Sequence, residues 1–261
     1  MKEIYKNILG MIDLTSLNAT DTPASVRAMV DKVNNFNDVF PDYPKPASIC
    51  VYPNFAGIIA ATRRSRDIRI TVVGGSFPAS QSPLKVKLLE CTEAVTDGAD
   101  EVDIVLALNS FLDNRPEEAS REIYEINKAI KAINSDVHLK VILETGALKD
   151  AGLIEQASML AMEAGADFIK TSTGKITPAA TPEAALVMCQ AIAKYYAKTG
   201  RKVGFKPAGG ISTPEEALVY YNIVSDTLGT KWLTPALFRF GASRMANNIL
   251  SALEEREIKY F

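Results

Sequence analysis

Eight short apolar segments, each followed by a stretch of helical periodicity, constrain this chain more than anything else in it. They are "MIDLT" (11–15), "SICVY" (48–52), "RITVVGG" (69–75), "EVDIVLA" (101–107), "LKVILE" (139–144), "FIKTS" (168–172), "VGFKPAGG" (203–210) and "FRFGAS" (238–243). Each is rich in β-branched residues and breaks at Gly, Pro or a polar residue, as strands do. Between them, "SPLKVKLLECTEAVTDGAD", "PEEASREIYEINKAIKAI" and "LIEQASMLAMEAGAD" repeat apolar residues at three- and four-residue spacing. Two helix starts are explicit: Thr181 and Thr213 fit the N-cap, and Pro182 and Pro214 fit the first helical position. Strand and helix alternating eight times over 261 residues is the size of one (β/α)8 barrel, the TIM-barrel architecture. A doubly wound sheet is the alternative, but no G-x-G-x-x-G follows the first strand. A single barrel over residues 1–261 is expected, with a short helical extension at the N-terminus and a tail from about residue 254.

Barrel strands alternate between the helix layer and the interior. If the large apolar residues face the helices, Ile169 points outward and Lys170 inward, and Val203 and Phe205 send Lys206 inward. By the same phase Asp103 in "EVDIV", Lys140 and Glu144 in "LKVILE", and Asp13 and Thr15 in "MIDLT" face the interior. The expected result is a ring of opposite charges made of Lys140, Lys170, Lys206, Asp13, Asp103 and Glu144. Any one of these lysines could be a strand-end side chain reaching solvent. Three at equivalent phase point instead to a site, because buried ion pairs stabilise poorly compared with apolar packing. Two lysines in a dry pocket are expected to depress each other's pKa. A neutral amine attacks carbonyls to give a Schiff base, which serves as an electron sink for breaking or forming an adjacent carbon–carbon bond.

Three late loops are rich in small residues and follow strand ends: "STGK" (172–175), "AGG" (208–210) and "GAS" (241–243). Their glycines let backbone N–H groups close on an anion, and a following helix N-terminus favours one. A phosphate is the expected occupant, with Lys175 or Arg244 adding charge. "STGK" is not a P-loop.

Other chemistry is excluded by composition. His138 is the only histidine, so no multi-histidine zinc site can form. An all-carboxylate magnesium site has no D-x-D cluster to build on, and no metal or cofactor is expected. Cys50, Cys91 and Cys189 form no C-x-x-C pair and suit a reducing compartment. With 29 basic and 31 acidic residues the chain has no basic footprint for nucleic acid or anionic membrane. No stretch reaches the roughly 20 apolar residues of a membrane helix. A cytoplasmic protein acting on small molecules is expected.

Taken in order, "MIDLTSLN", "ADEVDIV", "LKVILETG", "GADFIKTSTGK", "GFKPAGGI" and "RFGAS" resemble the 2-deoxyribose-5-phosphate aldolases over residues 11–244. "KTSTG" with "KPAGG" is the specific part of that resemblance. It implies a metal-free Schiff-base aldolase cleaving 2-deoxy-D-ribose 5-phosphate to acetaldehyde and D-glyceraldehyde 3-phosphate. Lys170 would form the imine, Lys206 would lower its pKa, and Asp103 would move protons with a water. Lys140 and Asp13 would hold the charge network and contact substrate hydroxyls, with Thr15 and Thr173 also expected at the substrate; Cys50, inward on "SICVY" by strand phase, is either barrel filling or a pocket wall at the substrate. Gly174, Lys175, Gly209, Gly210 and Ser243 would line the phosphate site. Members often carry a basic residue after "GG[IV]", where this chain has Ser212, and a second serine after "GAS", where it has Arg244; Arg244 is expected to replace that charge. One branch ends in a mobile tyrosine that shuttles a proton. Tyr260 would take that part, a frayed terminus being the other reading. The resemblance also implies a homodimer. Two alternatives stay open: another lysine-imine phosphosugar aldolase, or a phosphosugar-binding barrel without catalysis.

Overall fold

The computed structural model describes all 261 residues. Eight strands form: β1 (Ile12–Thr15), β2 (Ser48–Val51), β3 (Arg69–Gly74), β4 (Glu101–Val105), β5 (His138–Ile142), β6 (Phe168–Lys170), β7 (Gly204–Lys206) and β8 (Phe240–Ala242). Every pairing between neighbours is parallel, in the order β7-β6-β5-β4-β3-β2-β1-β8. Two isolated bridges, Phe205 to Phe238 and Ala208 to Gly241, bring β7 and β8 together and complete the ring. Parallel strands need crossovers, and helices supply them, which gives the (β/α)8 barrel.

The strand ends explain the loops. β7 stops at Lys206 because Pro207 cannot donate to a ladder, and Gly209 and Gly210 turn at φ +84° and +83°. β5 stops at Ile142, two residues before Glu144 at φ +54°. The outward residues of the strands, among them Ile12, Ile49, Val72, Val102, Val141, Ile169 and Phe205, join the inner helix faces in one apolar core. Each fully buried large aliphatic or aromatic side chain contributes about 1.5–3 kcal/mol.

The helix starts follow the caps. Thr181 accepts from the Ala184 N–H at the start of helix Pro182–Thr199. Thr213 and Glu216 cap each other's backbone at the start of helix Pro214–Leu228. Such caps are worth about 1 kcal/mol each. Helix Lys2–Leu9 precedes β1 and packs on the last helix, Met245–Glu254. No helix is long and apolar enough to cross a membrane.

The chain beyond Glu254 is tied down rather than frayed. Asn247 Oδ1 accepts from the N–H groups of Tyr260 and Phe261, both at 2.9 Å, and Ser251 Oγ accepts from the Ile258 N–H at 2.8 Å.

Candidate active site

The alternation of the strands sends a set of charged side chains into the lumen, where they have almost no contact with solvent. Asp13, Glu101, Asp103, Lys140 and Lys206 are fully buried, and Lys170 and Arg239 are each 3% exposed. They form a continuous ladder. At its upper end Lys170 Nζ donates to Asp103 Oδ2 at 2.8 Å, and Lys206 Nζ donates to the same oxygen at 2.7 Å. Lys206 also meets Asp13 Oδ2 at 2.5 Å. Lys140 links Asp103 Oδ1 at 3.0 Å to Glu101 Oε2 at 2.5 Å. At the lower end Arg239 spans Asp13 Oδ1 at 2.5 Å and Glu101 Oε1 at 2.8 Å. Ser48 donates to Asp13 Oδ1 at 2.7 Å and Thr71 to Glu101 Oε2 at 2.8 Å.

With every member ionised, four cations (Lys140, Lys170, Lys206, Arg239) meet three carboxylates (Asp13, Glu101, Asp103). One positive charge is surplus in a medium that solvates charge poorly. The lysines do not share that surplus. Burial disfavours the ammonium of Lys170, the Lys206 charge adds to the effect, and Asp103 only partly opposes them, so its pKa falls below the usual lysine range. Burial also works against the charge on Lys206, but Asp103 and Asp13 together overcome it and raise its pKa. Mutual depression, expected from two neighbouring lysines, is therefore one-sided, because Lys206 has two carboxylates and Lys170 has one. Burial opposes the Asp103 charge as well, yet Lys140, Lys170 and Lys206 hold that carboxyl well below its ordinary range. Glu101 is brought down to about 2 by Lys140 and Arg239 against the cost of its burial. The ladder thus favours charged carboxylates and, at Lys170, disfavours the ammonium form.

Lys170 is also the member that opens to a pocket. A cavity of about 250 Å³ lies at the carboxyl ends of the strands, lined by Lys170, Thr15, Thr173, Gly174, Lys175, Gly209 and Ser243, among others. Its far wall is built from backbone. Gly174 and Gly209 both have positive φ, and a Cβ on Gly209 would stand 3.0 Å from Gly174 Cα and 2.7 Å from Ala179 Cβ. Glycine at 209 is needed for those loops to approach so closely, and glycine at 174 suits the turn at φ +77°. Thr173 is held by Glu144, which accepts from its hydroxyl at 2.5 Å and its N–H at 3.2 Å. Thr173 in turn accepts from the Lys175 N–H at 3.0 Å, and Lys175 Nζ donates to the Leu17 carbonyl at 3.0 Å. Helix Met245–Glu254 begins two residues beyond Ser243.

Several expected site residues lie elsewhere. Glu144 does not join the ring of charges: its αL backbone ends the strand alternation, and its carboxylate turns to Thr173. Asp13 and Lys140 are fully buried in the ladder and are not part of the pocket lining. Cys50 faces the interior of β2 but is 1% exposed, so it fills the barrel rather than the pocket wall, and burial pushes its thiol pKa up. Gly210 does not line the cavity, and Arg244 lines a neighbouring one of about 390 Å³ that shares Thr15 and Ser243 with the first. Tyr260 is away from Lys170. Its hydroxyl donates to the Lys32 carbonyl at 2.7 Å, and its ring packs edge-on against Phe36 and Phe40. His138 is half-buried at the start of β5, 3.9 Å from Glu101, at the opposite end of the ladder from Lys170. Arg239 and Glu101 were not foreseen. Period two supplies the signal for both: Glu101 stands two residues before Asp103, and Arg239 stands between the outward Phe238 and Phe240.

Comparison with known proteins finds relatives along most of the chain. Residues 8–223 match the family described as DeoC/LacD family aldolase. The deoxyribose-phosphate aldolase of Mus musculus is 41% identical over 253 residues, which cover 91% of this chain and 77% of the mouse protein. That of Agrobacterium fabrum is 39% identical over 246 residues, covering 94% of this chain and 90% of the bacterial one. A solved structure, a tetrameric deoxyribose phosphate aldolase from Aeropyrum pernix, superimposes with a TM-score of 0.75 at 26% identity, covering 95% of this chain and 92% of that one.

Proposed function

The chain belongs to the DeoC/LacD family of aldolases, and from that premise we propose that Lys170 is the amine that forms its imine. It is a deoxyribose-phosphate aldolase, a lyase that reversibly cleaves 2-deoxy-D-ribose 5-phosphate to acetaldehyde and D-glyceraldehyde 3-phosphate. The observation that carries the role of Lys170 is its combination of access and charge. Of the ladder amines it alone borders the pocket, and it is the one whose ammonium form burial and a neighbouring cation disfavour.

The chemistry follows from those positions. The neutral Lys170 amine adds to the aldehyde carbon of the open-chain sugar, and loss of water from the carbinolamine leaves a protonated imine. That cation draws in the electron pair of the bond between the second and third carbons while the third-carbon hydroxyl gives up its proton. Glyceraldehyde 3-phosphate leaves, and the enamine that remains is protonated and hydrolysed to acetaldehyde and free Lys170. Asp103, 2.8 Å from Lys170 Nζ, is placed to exchange protons with the amine and its water during carbinolamine formation and breakdown. Lys206, held charged by two carboxylates, stays an ammonium beside the reacting nitrogen and disfavours a second charge there. Thr15 and Thr173 meet the sugar hydroxyls. Gly174, Lys175, Gly209 and Ser243 receive the phosphate, with Arg244 at the rim. A cytoplasmic homodimer acting in deoxyribose phosphate breakdown completes the reading; two-fold homo-oligomers are the commonest assemblies.

Borohydride reduction in the presence of acetaldehyde tests the proposal. Mass added to the peptide carrying Lys170 is the expected result. An adduct confined to Lys206, or no adduct at all, would overturn it.

A further inference from the structure

The charge ladder extends well below the pocket, and its lower members have no evident part in the reaction. Arg239 and Glu101 lie at the far end, beyond Lys140 and Asp13, and neither borders the cavity at Lys170. Stability does not account for them, since an apolar pair of the same volume would serve a barrel interior as well or better. Arg239 donates from both terminal nitrogens to Asp13 and Glu101, and from Nε to the Pro235 carbonyl. The pair is therefore fixed and almost wholly buried, with Arg239 bordering a separate cavity beside His138 and Pro235, and it is joined through the ladder's carboxylates to both catalytic lysines.

We propose that Arg239 and Glu101 are positioning residues for the reaction at Lys170, setting the charge held by the barrel interior and so the ease with which that amine loses its proton. The inference rests on Lys170 being the imine-forming amine. Arg239 is one of four buried cations, and without it the ladder is electrically balanced with Lys170 still protonated. Glu101 is one of three carboxylates, and without it the surplus doubles. Few other groups bear on the balance. Lys170 is faced by Asp103 from β4, Lys206 from β7 and the neutral thiol of Cys50 from β2. Glu101 is faced by Lys140 and His138 from β5, by Thr71 from β3 and by Asp13 from β1. Burial lowers the His138 pKa and so favours the uncharged ring, which adds nothing to the balance in that form.

The test reads the amine directly. Competitive acetylation of Lys170, followed by peptide mass spectrometry across pH, gives its apparent pKa without any aldehyde present. Arg239→Met is expected to raise that value by about one pH unit or more, and Glu101→Gln to lower it by a similar amount. Each unit upward leaves about tenfold less free amine at neutral pH, so turnover of deoxyribose 5-phosphate by Arg239→Met should fall about tenfold at pH 7 and recover at higher pH. Arg239→Lys and the double variant Arg239→Met/Glu101→Gln keep the net charge and should retain the wild-type profile. A packing defect has no reason to produce shifts of opposite sign that cancel in the double variant. Shifts of the same sign, or none, would overturn the inference. If Arg239→Met does not fold, Glu101→Gln and Arg239→Lys still decide it. Failure of borohydride trapping would instead remove the imine reading, a separate result from a separate measurement.

Discussion

Asp103→Asn removes the carboxylate on which three lysines converge. In the native barrel Asp103 is fully buried and accepts from Lys140 at 3.0 Å, Lys170 at 2.8 Å and Lys206 at 2.7 Å. Asparagine has nearly the same shape, but it offers one oxygen and turns two amide hydrogens toward cations. Deleting one partner of a buried ionic group costs about 3–5 kcal/mol. Lys170 can shed its proton to relieve part of that repulsion, so the loss should lie near the lower end, about 3 kcal/mol. Against a total of about 5–15 kcal/mol the variant should still fold, with a clearly lower denaturant midpoint.

Its pH dependence has a definite sign. The Asp103 pKa is depressed in the folded protein, so its stabilisation is complete above the unfolded-state pKa of about 3.9 and is lost only as pH falls through the lower folded value. The carboxylate's own share of the gap between wild type and Asp103→Asn should therefore be constant at neutral pH and narrow only below about pH 4, while the lowered Lys170 pKa in the variant widens the gap as pH falls from neutral. Urea titrations at a series of pH values measure it. Imine trapping should fall by at least about a hundredfold, the lower range for losing a positioned proton-transfer group. A gap under about 1 kcal/mol at pH 7, or one that does not narrow below about pH 4, would refute the reasoning.

Two further outcomes follow from the loops and the tail. Gly209→Ala puts a Cβ at φ +84° and against Gly174, a strain of about 1–2 kcal/mol, so KM for deoxyribose 5-phosphate should rise about tenfold while unphosphorylated deoxyribose is little affected; equal effects on both sugars in steady-state kinetics would place the phosphate elsewhere. Deleting Tyr260 and Phe261 uncovers Phe36 and removes the hydroxyl bond to Lys32, at a cost of about 2–3 kcal/mol and a Tm drop of about 5–10 °C, with kcat unchanged; a matching fall in kcat would return Tyr260 to the reaction.

The strands were legible because both signals that define them are local. Apolar alternation locates all eight segments, and their phase sends Asp13, Asp103, Lys140, Lys170 and Lys206 inward. Carried two residues back from Asp103, or applied to "FRF", the same phase finds Glu101 and Arg239. It fails at Glu144, since alternation means nothing once the backbone enters the αL region. The charge state of Lys206 could not be read from its own segment, because it depends on Asp13, which arrives from β1. Tyr260 is the clearest non-local case: its hydroxyl partner lies 228 residues away, and nothing in "EREIKYF" names it.

Along the circumference, β8 is laddered to β1 on one side but touches β7 through only two bridges. Arg239, just ahead of β8, and Lys206 of β7 both bind Asp13, and Arg239 also reaches across the lumen to Glu101 of β4, so the hoop is fastened at this joint partly by spokes. Dehydrating such spokes becomes less costly as temperature rises, whereas hydrophobic stabilisation levels off. Heat should therefore loosen the outer helices before it parts this joint. Remodelling the hub to suit a different aldehyde would alter the fastening of the barrel as well as its reactivity.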